Sequence, residues 1–114
     1  MNVKKFHLYL ADLNPRQGTE PGKIRPVVVI QTDLLNEVHP STLICPLTTK
    51  ISKEAKILRI HIHKGETSGL SHDSDILVDQ IRAIDNRRFK EPLGKLTQPQ
   101  AKQLLDNLSK IILE

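Results

Sequence analysis

"GKIRPVVVIQTD", residues 22–33, decides the fold. Four β-branched apolar residues in succession, Val27 to Ile30, make a run too short for a helix. Their stiff side chains also favour extended backbone. Pro26 stands at the first position of this predicted strand, where a missing N–H does least harm. A buried strand at the centre of the sequence pattern requires a sheet around it. The arginine before the proline needs a separate reason. A core strand has no use for a guanidinium at its mouth, whereas a site that handles phosphate does.

Working outward, "FHLYLADL" (6–13) alternates, with Phe6, Leu8 and Leu10 on one face and His7, Tyr9 and Ala11 on the other. This predicts a strand with one buried side. "NPRQGTEPGK" (14–23) carries two prolines and two glycines among polar residues and reads as a long loop, the kind that often carries function. "TDLLNEVHPS" (32–41) offers at most a turn of helix after Thr32 or Asp33. "STLICPLTT" (41–49) is the next strand, with Leu43, Cys45 and Leu47 facing away from Thr42, Ile44, Pro46 and Thr48. A charged connector, "KISKEAK", leads to "ILRIHIH", where Ile60 and Ile62 point inward and Arg59, His61 and His63 outward. "KGETSGLSHDS" is rich in turn residues, "DILVDQIRAID" reads as one or two strands, and "DNRRFKEPLG" as charged and irregular.

The end of the chain is helical. In "TQPQAKQLLDNLSKIIL" (97–113), Thr97 and Gln100 form a capping-box pair and Pro99 lies in the first turn. Ala101, Leu104, Leu105, Leu108, Ile111 and Ile112 recur at helical spacing and make a stripe for docking on the sheet. Five or more short strands and one terminal helix predict a mainly β, small, partly open barrel forming a single domain over residues 1–114.

Composition narrows the function. The 114 residues include no apolar run long enough to span a membrane, and the N-terminus alternates rather than forming a signal-peptide core. Cys45 is the sole cysteine, so no internal disulfide forms, and the chain fits a soluble protein of a reducing cytoplasm. A net charge of +4 favours an anionic partner. Aromatics are scarce (Phe6, Tyr9 and Phe89), which disfavours binding of single strands mainly by base stacking.

Candidate chemistry gathers near the first quoted stretch. Arg25, Lys23 and Arg16 supply positive charge, Glu20 a proton acceptor, and "PLTT" two hydroxyls, Thr48 and Thr49, at a strand end. A guanidinium, a hydroxyl and a carboxylate together can serve a phosphodiester. "DQIR" (79–82) places Asp79 and Gln80 at another strand end, where a plain polar edge is an equal reading. His61 and His63 share a strand face with metal-ligand spacing, but the sequence places no third ligand, and a solvated face is the reading taken. Asp73, Asp75 and Asp79 crowd one region without calcium-loop spacing. There is no Walker loop, GxGxxG or HExxH. Cys45 falls with Leu43 and Leu47 and is assigned to the core.

Four blocks in order resemble the MazF/PemK family of toxins from bacterial type II toxin–antitoxin pairs: "ADLNP" with "GTE", "IRPVVVIQTD", "ICPLTT", and "GLSHDSDILVDQIRAIDNRRF". The resemblance covers nearly the whole chain. It implies an SH3-like barrel with a C-terminal helix, working as a homodimer. It implies an endoribonuclease, independent of metal and without cofactor, that cuts single-stranded RNA, chiefly mRNA. A cognate antitoxin would cover the RNA groove with an acidic segment. Position by position, it makes Arg25 and Thr48 catalytic and Glu20 an acidic loop residue linked to activity. It sets Lys23, Thr19, Thr49, Asp79 and Gln80 along the RNA path. Thr19 stands where some relatives carry a histidine, and Pro21 where a glutamine is frequent. Two other readings remain open: a non-catalytic DNA gyrase poison on the same barrel, and a binding module that has lost activity.

Overall fold

The computed structural model describes residues 1–15, 18–19, 23–54 and 56–114. Seven strands and a long terminal helix account for most of them. In chain order these are β1 (His7–Asp12), β2 (Ile24–Val29), α1 (Asp33–Asn36), β3 (Ser41–Thr48), β4 (Arg59–Ile62), β5 (Ser74–Leu77), β6 (Arg82–Asp85), a 3₁₀ turn (Asn86–Arg88), β7 (Phe89–Lys95) and α2 (Gln98–Leu113). All pairings are antiparallel, in the order β4-β5-β3-β2-β1-β7, with β6 also pairing β3. The sheet does not close, since β4 and β7 end it on opposite sides. The mainly β, partly open architecture with a C-terminal helix is the one expected.

β3 turns the corner. Its first half, Ser41 to Ile44, pairs with β6, and its last two residues, Leu47 and Thr48, pair with β5. Cys45 and Pro46 fall in the gap between the two pairings, where a residue without an N–H costs the ladder least. This bend separates two cores. One holds Leu8, Val28, Cys45, Leu47, Ile60, Ile62, Ile76 and Val78 beneath Leu104 and Leu108 of α2. The other holds Tyr9, Ala11, Leu13, Val27, Val29, Ile44, Ile84 and Phe89. Successive residues of β2 therefore serve opposite cores, which is why the run Val27–Val29 is apolar without alternation.

The same layout corrects several expectations. β1 is buried on both sides: Leu8 enters one core, Tyr9 and Ala11 the other, while Phe6 and Leu10 are only half-buried. Pro26 is the third residue of β2, which starts at Ile24; pairing with β3 begins only at Val27. Leu43 does not share the burial of Cys45 and Leu47 and is exposed. The segment read as irregular contains β7, an edge strand that pairs only with β1 and shifts register twice around Pro92. An edge tolerates proline, and its residues 90–92 are all exposed, so no hydrophobic period announces it. Phe89 nevertheless meets Tyr9 edge to face at 5.5 Å between ring centroids.

α2 begins as its sequence directs. The Thr97 hydroxyl accepts from the Gln100 N–H at 3.3 Å, and the Thr97 N–H donates to Gln100 Oε1 at 2.8 Å. Its buried stripe is narrower than expected: Leu104, Asn107 and Leu108 are covered, whereas Leu105 and Ile112 are 44% and 60% exposed. α1 is a single turn capped by Thr32, as expected. The 64–70 segment lies close against β7: the Lys95 N–H donates to the Thr67 carbonyl at 2.8 Å. A Cβ on Gly94 would collide with the backbone of Thr67 and Ser68, so only glycine allows this approach.

Candidate active site

The base of the first loop is tightly built. Lys23 adopts a left-handed backbone, φ 63°, which is unusual for a residue with a Cβ. Its N–H donates to Asn14 Oδ1 at 2.7 Å, and its carbonyl accepts from the Leu13 N–H at 2.8 Å. Arg88, reaching from beyond β6, donates to the carbonyls of Asp12 and Asn14. These contacts fix where the chain enters β2 and hence where Arg25 stands. Thr19 lies in an exposed turn, and Glu20 and Arg16 lie outside the described residues.

Arg25 is half-buried, and its Nη1 donates to the carbonyl of Leu47 at 3.2 Å. The guanidinium is thus held over the end of β3, beside Thr48. The β2–β3 ladder pairs Val29 with Ile44, Val28 with Cys45 and Val27 with Pro46. The pairing stops there; Arg25 lies two residues before Val27 and Thr48 two residues after Pro46. Thr48 is also half-buried, and its Oγ1 accepts the Lys50 N–H at 3.2 Å, which tightens the turn through exposed Thr49.

The row continues. Thr48 pairs with Asp75 on β5, and Asp75 pairs with His61 on β4. Residues opposite one another in a ladder share a face. Thr48, Asp75 and His61 therefore line one face in sequence, over two strand spacings or roughly 10 Å of sheet, with Arg25 anchored on the Leu47 carbonyl next to Thr48. At the far end, Asp75 is buried and accepts the Ser52 N–H at 3.0 Å, Arg59 Nη1 at 3.3 Å and His61 Nδ1 at 3.1 Å. Burial opposes its ionisation, but the Ser52 amide, His61 and Arg59 outweigh that and hold the carboxyl below its ordinary value. A cleft of about 540 Å³ opens there, lined by Ile51, Lys53, Lys56, Arg59, His61 and Asp75.

Asp79 is exposed and Gln80 half-buried in the bend between β5 and β6, whose turn is closed by the Gln80 N–H on the Leu77 carbonyl at 3.1 Å. Asp79 lies near enough to Cys45 to act on its thiol. Burial first, and then Asp79, push that thiol up to about 12. Cys45 is thus a core residue and no nucleophile. Arg25 and Thr48 are brought together, with Lys23 two residues before Arg25 and Thr49 one after Thr48. Nothing in the sequence gives the β4–β5 register that pairs His61 with Asp75 and brings Arg59 within reach of the same carboxylate. The alternation of "RIHIH" beside a downstream aspartate cluster was the available signal.

Residues 4–112 match the family of PemK-like, MazF-like toxins of type II toxin–antitoxin systems. The Endoribonuclease MazF of Staphylococcus saprophyticus is 39% identical over 102 residues, covering 90% of this chain and 84% of that protein. In fold, the chain is similar to MazF from Deinococcus radiodurans (TM-score 0.82, 22% identity, 98% of this chain and 97% of that one). It is likewise similar to a chain of a MazE–MazF structure from the same organism (TM-score 0.77, 17% identity, 99% and 97% covered). A family match over nearly the whole length, with a relative at that identity, makes this chain a member of the PemK-like, MazF-like toxin family.

Proposed function

We propose that the chain is an endoribonuclease toxin that cuts single-stranded RNA by attack of a ribose 2′-OH on the adjacent phosphate. The products are a 2′,3′-cyclic phosphate and a 5′-OH end. One observation supports the reading: a bond to the Leu47 carbonyl holds the Arg25 guanidinium at the end of β3, next to Thr48. Arg25 offers its N–H fork to the non-bridging oxygens as negative charge concentrates on them. Thr48 orients the phosphate or the attacking hydroxyl. Arginine is too basic to take the proton, so the general base falls to a carboxylate, and Glu20 is the one assigned. Since the nucleophile is the 2′-OH, DNA is not cut. Lys23, Thr19, Thr49, Asp79 and Gln80 contact the RNA. The guanidinium supplies the charge a metal would otherwise bring, so cleavage proceeds in chelator.

The net charge of +4 suits both RNA and an acidic antitoxin segment. A relative's structure contains MazE with MazF, and a cognate antitoxin covering the same face is the corresponding partner here. Leu34 and Val38, 87% and 78% exposed, are apolar surface suited to burial in a homodimer.

The test is labelled single-stranded RNA incubated with purified protein in EDTA, followed by end analysis. Discrete fragments with cyclic phosphate and 5′-OH ends are expected, with no cleavage where the ribose at the cut lacks its 2′-OH. Absence of cleavage on a varied set of RNAs, or cleavage of the 2′-deoxy substrate, would sink this reading.

A further inference from the structure

His61, His63 and Asp73 stand apart from the phosphate chemistry. Each offers one ligand atom, and the three atoms lie within 4.8 Å of one another. We propose that they form a surface site for one zinc-like divalent cation per chain, completed by water and independent of RNA cleavage.

The geometry supports coordination over simple ion pairing. His61 Nε2 is 3.8 Å from Asp73 Oδ2, and His63 Nδ1 is 3.7 Å from the same oxygen. Those separations are too long for hydrogen bonds. They lie close to the edge of a tetrahedron around zinc, about 3.4 Å for bonds near 2.1 Å. The rings meet nearly at right angles, 86°, with centroids 4.7 Å apart, so both nitrogens can turn toward one point without stacking.

Two of the three ligands are already oriented. The buried Asp75 carboxylate bonds His61 Nδ1 at 3.1 Å, so in the neutral imidazole Nδ1 donates and Nε2 presents its lone pair. A carboxylate behind a histidine in this way is the usual support of a metal-bound imidazole. Asp73 is oriented as well: its Oδ1 accepts the Lys64 N–H at 2.8 Å, which leaves Oδ2 to face the histidines. His63, 81% exposed, is free to close the site. Two nitrogens, one carboxylate oxygen and an open position suit zinc or cobalt better than calcium or magnesium, which prefer oxygen alone. A bound ion would clip the 64–73 segment to β4.

The experiment is calorimetric titration of chelator-stripped, RNA-free protein with ZnCl₂, together with visible spectra after adding Co²⁺. Saturation at one ion per chain and a tetrahedral cobalt spectrum are expected. His63→Gln and Asp73→Asn each weaken binding at least tenfold, and His39→Gln leaves it unchanged. Asp75→Asn weakens it ten- to hundredfold through His61; if that variant fails to fold, the exposed His63 still decides. No saturable binding up to millimolar zinc overturns the site. So does parent-like affinity in His63→Gln and Asp73→Asn, or an equal loss in His39→Gln. Cleavage plays no part in these readouts, so the site stands or falls apart from the nuclease assignment.

Discussion

The two ends of the polar row differ in what holds their cations. At one end Arg25 donates to the Leu47 carbonyl, which holds the guanidinium at the end of β3. At the other end Arg59 and His61 share the buried carboxylate of Asp75, and Asp73 stands beside them. The proposals assign a phosphate to the first corner and a cation to the second. Residue type alone does not assign chemistry: Arg25 reaches the end of β3, whereas Arg59 bonds both the Lys50 carbonyl and the buried carboxylate of Asp75.

Arg25→Ala breaks the comparison most sharply. Cleavage should fall about a hundredfold or more, the loss seen when one transition-state donor is removed. The thermal midpoint should stay close to that of the parent, because the side chain is only half-buried. Near-normal cleavage would show that the first corner is not catalytic. Asp75→Ala addresses the second corner through stability. It strands three donors, the half-buried Arg59 guanidinium among them, so urea denaturation should show a loss of about 2–4 kcal/mol. A loss below about 1 kcal/mol would mean that water replaces the carboxylate and that the corner is not preorganised.

Thr48→Val sharpens the link between the corners, since Thr48 pairs with Asp75 and follows the Leu47 carbonyl that Arg25 bonds. Activity should drop roughly tenfold, one charged hydrogen bond's worth. Stability should fall by no more than about 1–2 kcal/mol, chiefly from the lost turn bond to Lys50. Full activity would leave the hydroxyl a turn former only.

How much of this the sequence disclosed follows from which interactions are local. The α2 cap is written in Thr97 and Gln100 because both bonds span three residues. The β2 run is written in Val27–Val29 because both its neighbours are cores. Arg25 was legible as an anomaly, an ionic group before an apolar run. By contrast, β7 was hidden, because an exposed edge strand with Pro92 and Gly94 has no period to read. The Arg59–His61–Asp75 corner was hidden because it depends on register between strands twelve residues apart along the chain or more. Resemblance supplied Thr48's role, and the bond from Arg25 to the Leu47 carbonyl brings the guanidinium to the same strand end.

Cys45 probes the bend between the corners. Its thiol is fully buried and pushed up to about 12, so almost none is thiolate at neutral pH. A maleimide or disulfide reagent should leave the native protein unmodified over an hour and react fully in denaturant. Rapid labelling of native protein would mean that β3 opens where it changes partners, and the anchoring of Arg25 on the Leu47 carbonyl would lose its footing.

The smallest effect lies outside both corners and serves as a baseline for them. Asp33 is held below the ordinary carboxylate range first by the Lys5 N–H at 2.8 Å and then by the Asn36 side chain at 2.9 Å. Its folded value is depressed, so the stability it contributes is present above the unfolded value near 4 and is lost as pH falls through the folded one. Asp33 is largely exposed, and water screens it, so Asp33→Ala should cost only about 1 kcal/mol at neutral pH. The gap between parent and variant should then narrow as the solution is taken below roughly pH 4. A gap that persists unchanged into acid would mean that the lost bonds do not depend on the charge. Asp75 could then be compared with it only as a packing residue, and the contrast between the two ends of the row would rest on Arg25 alone.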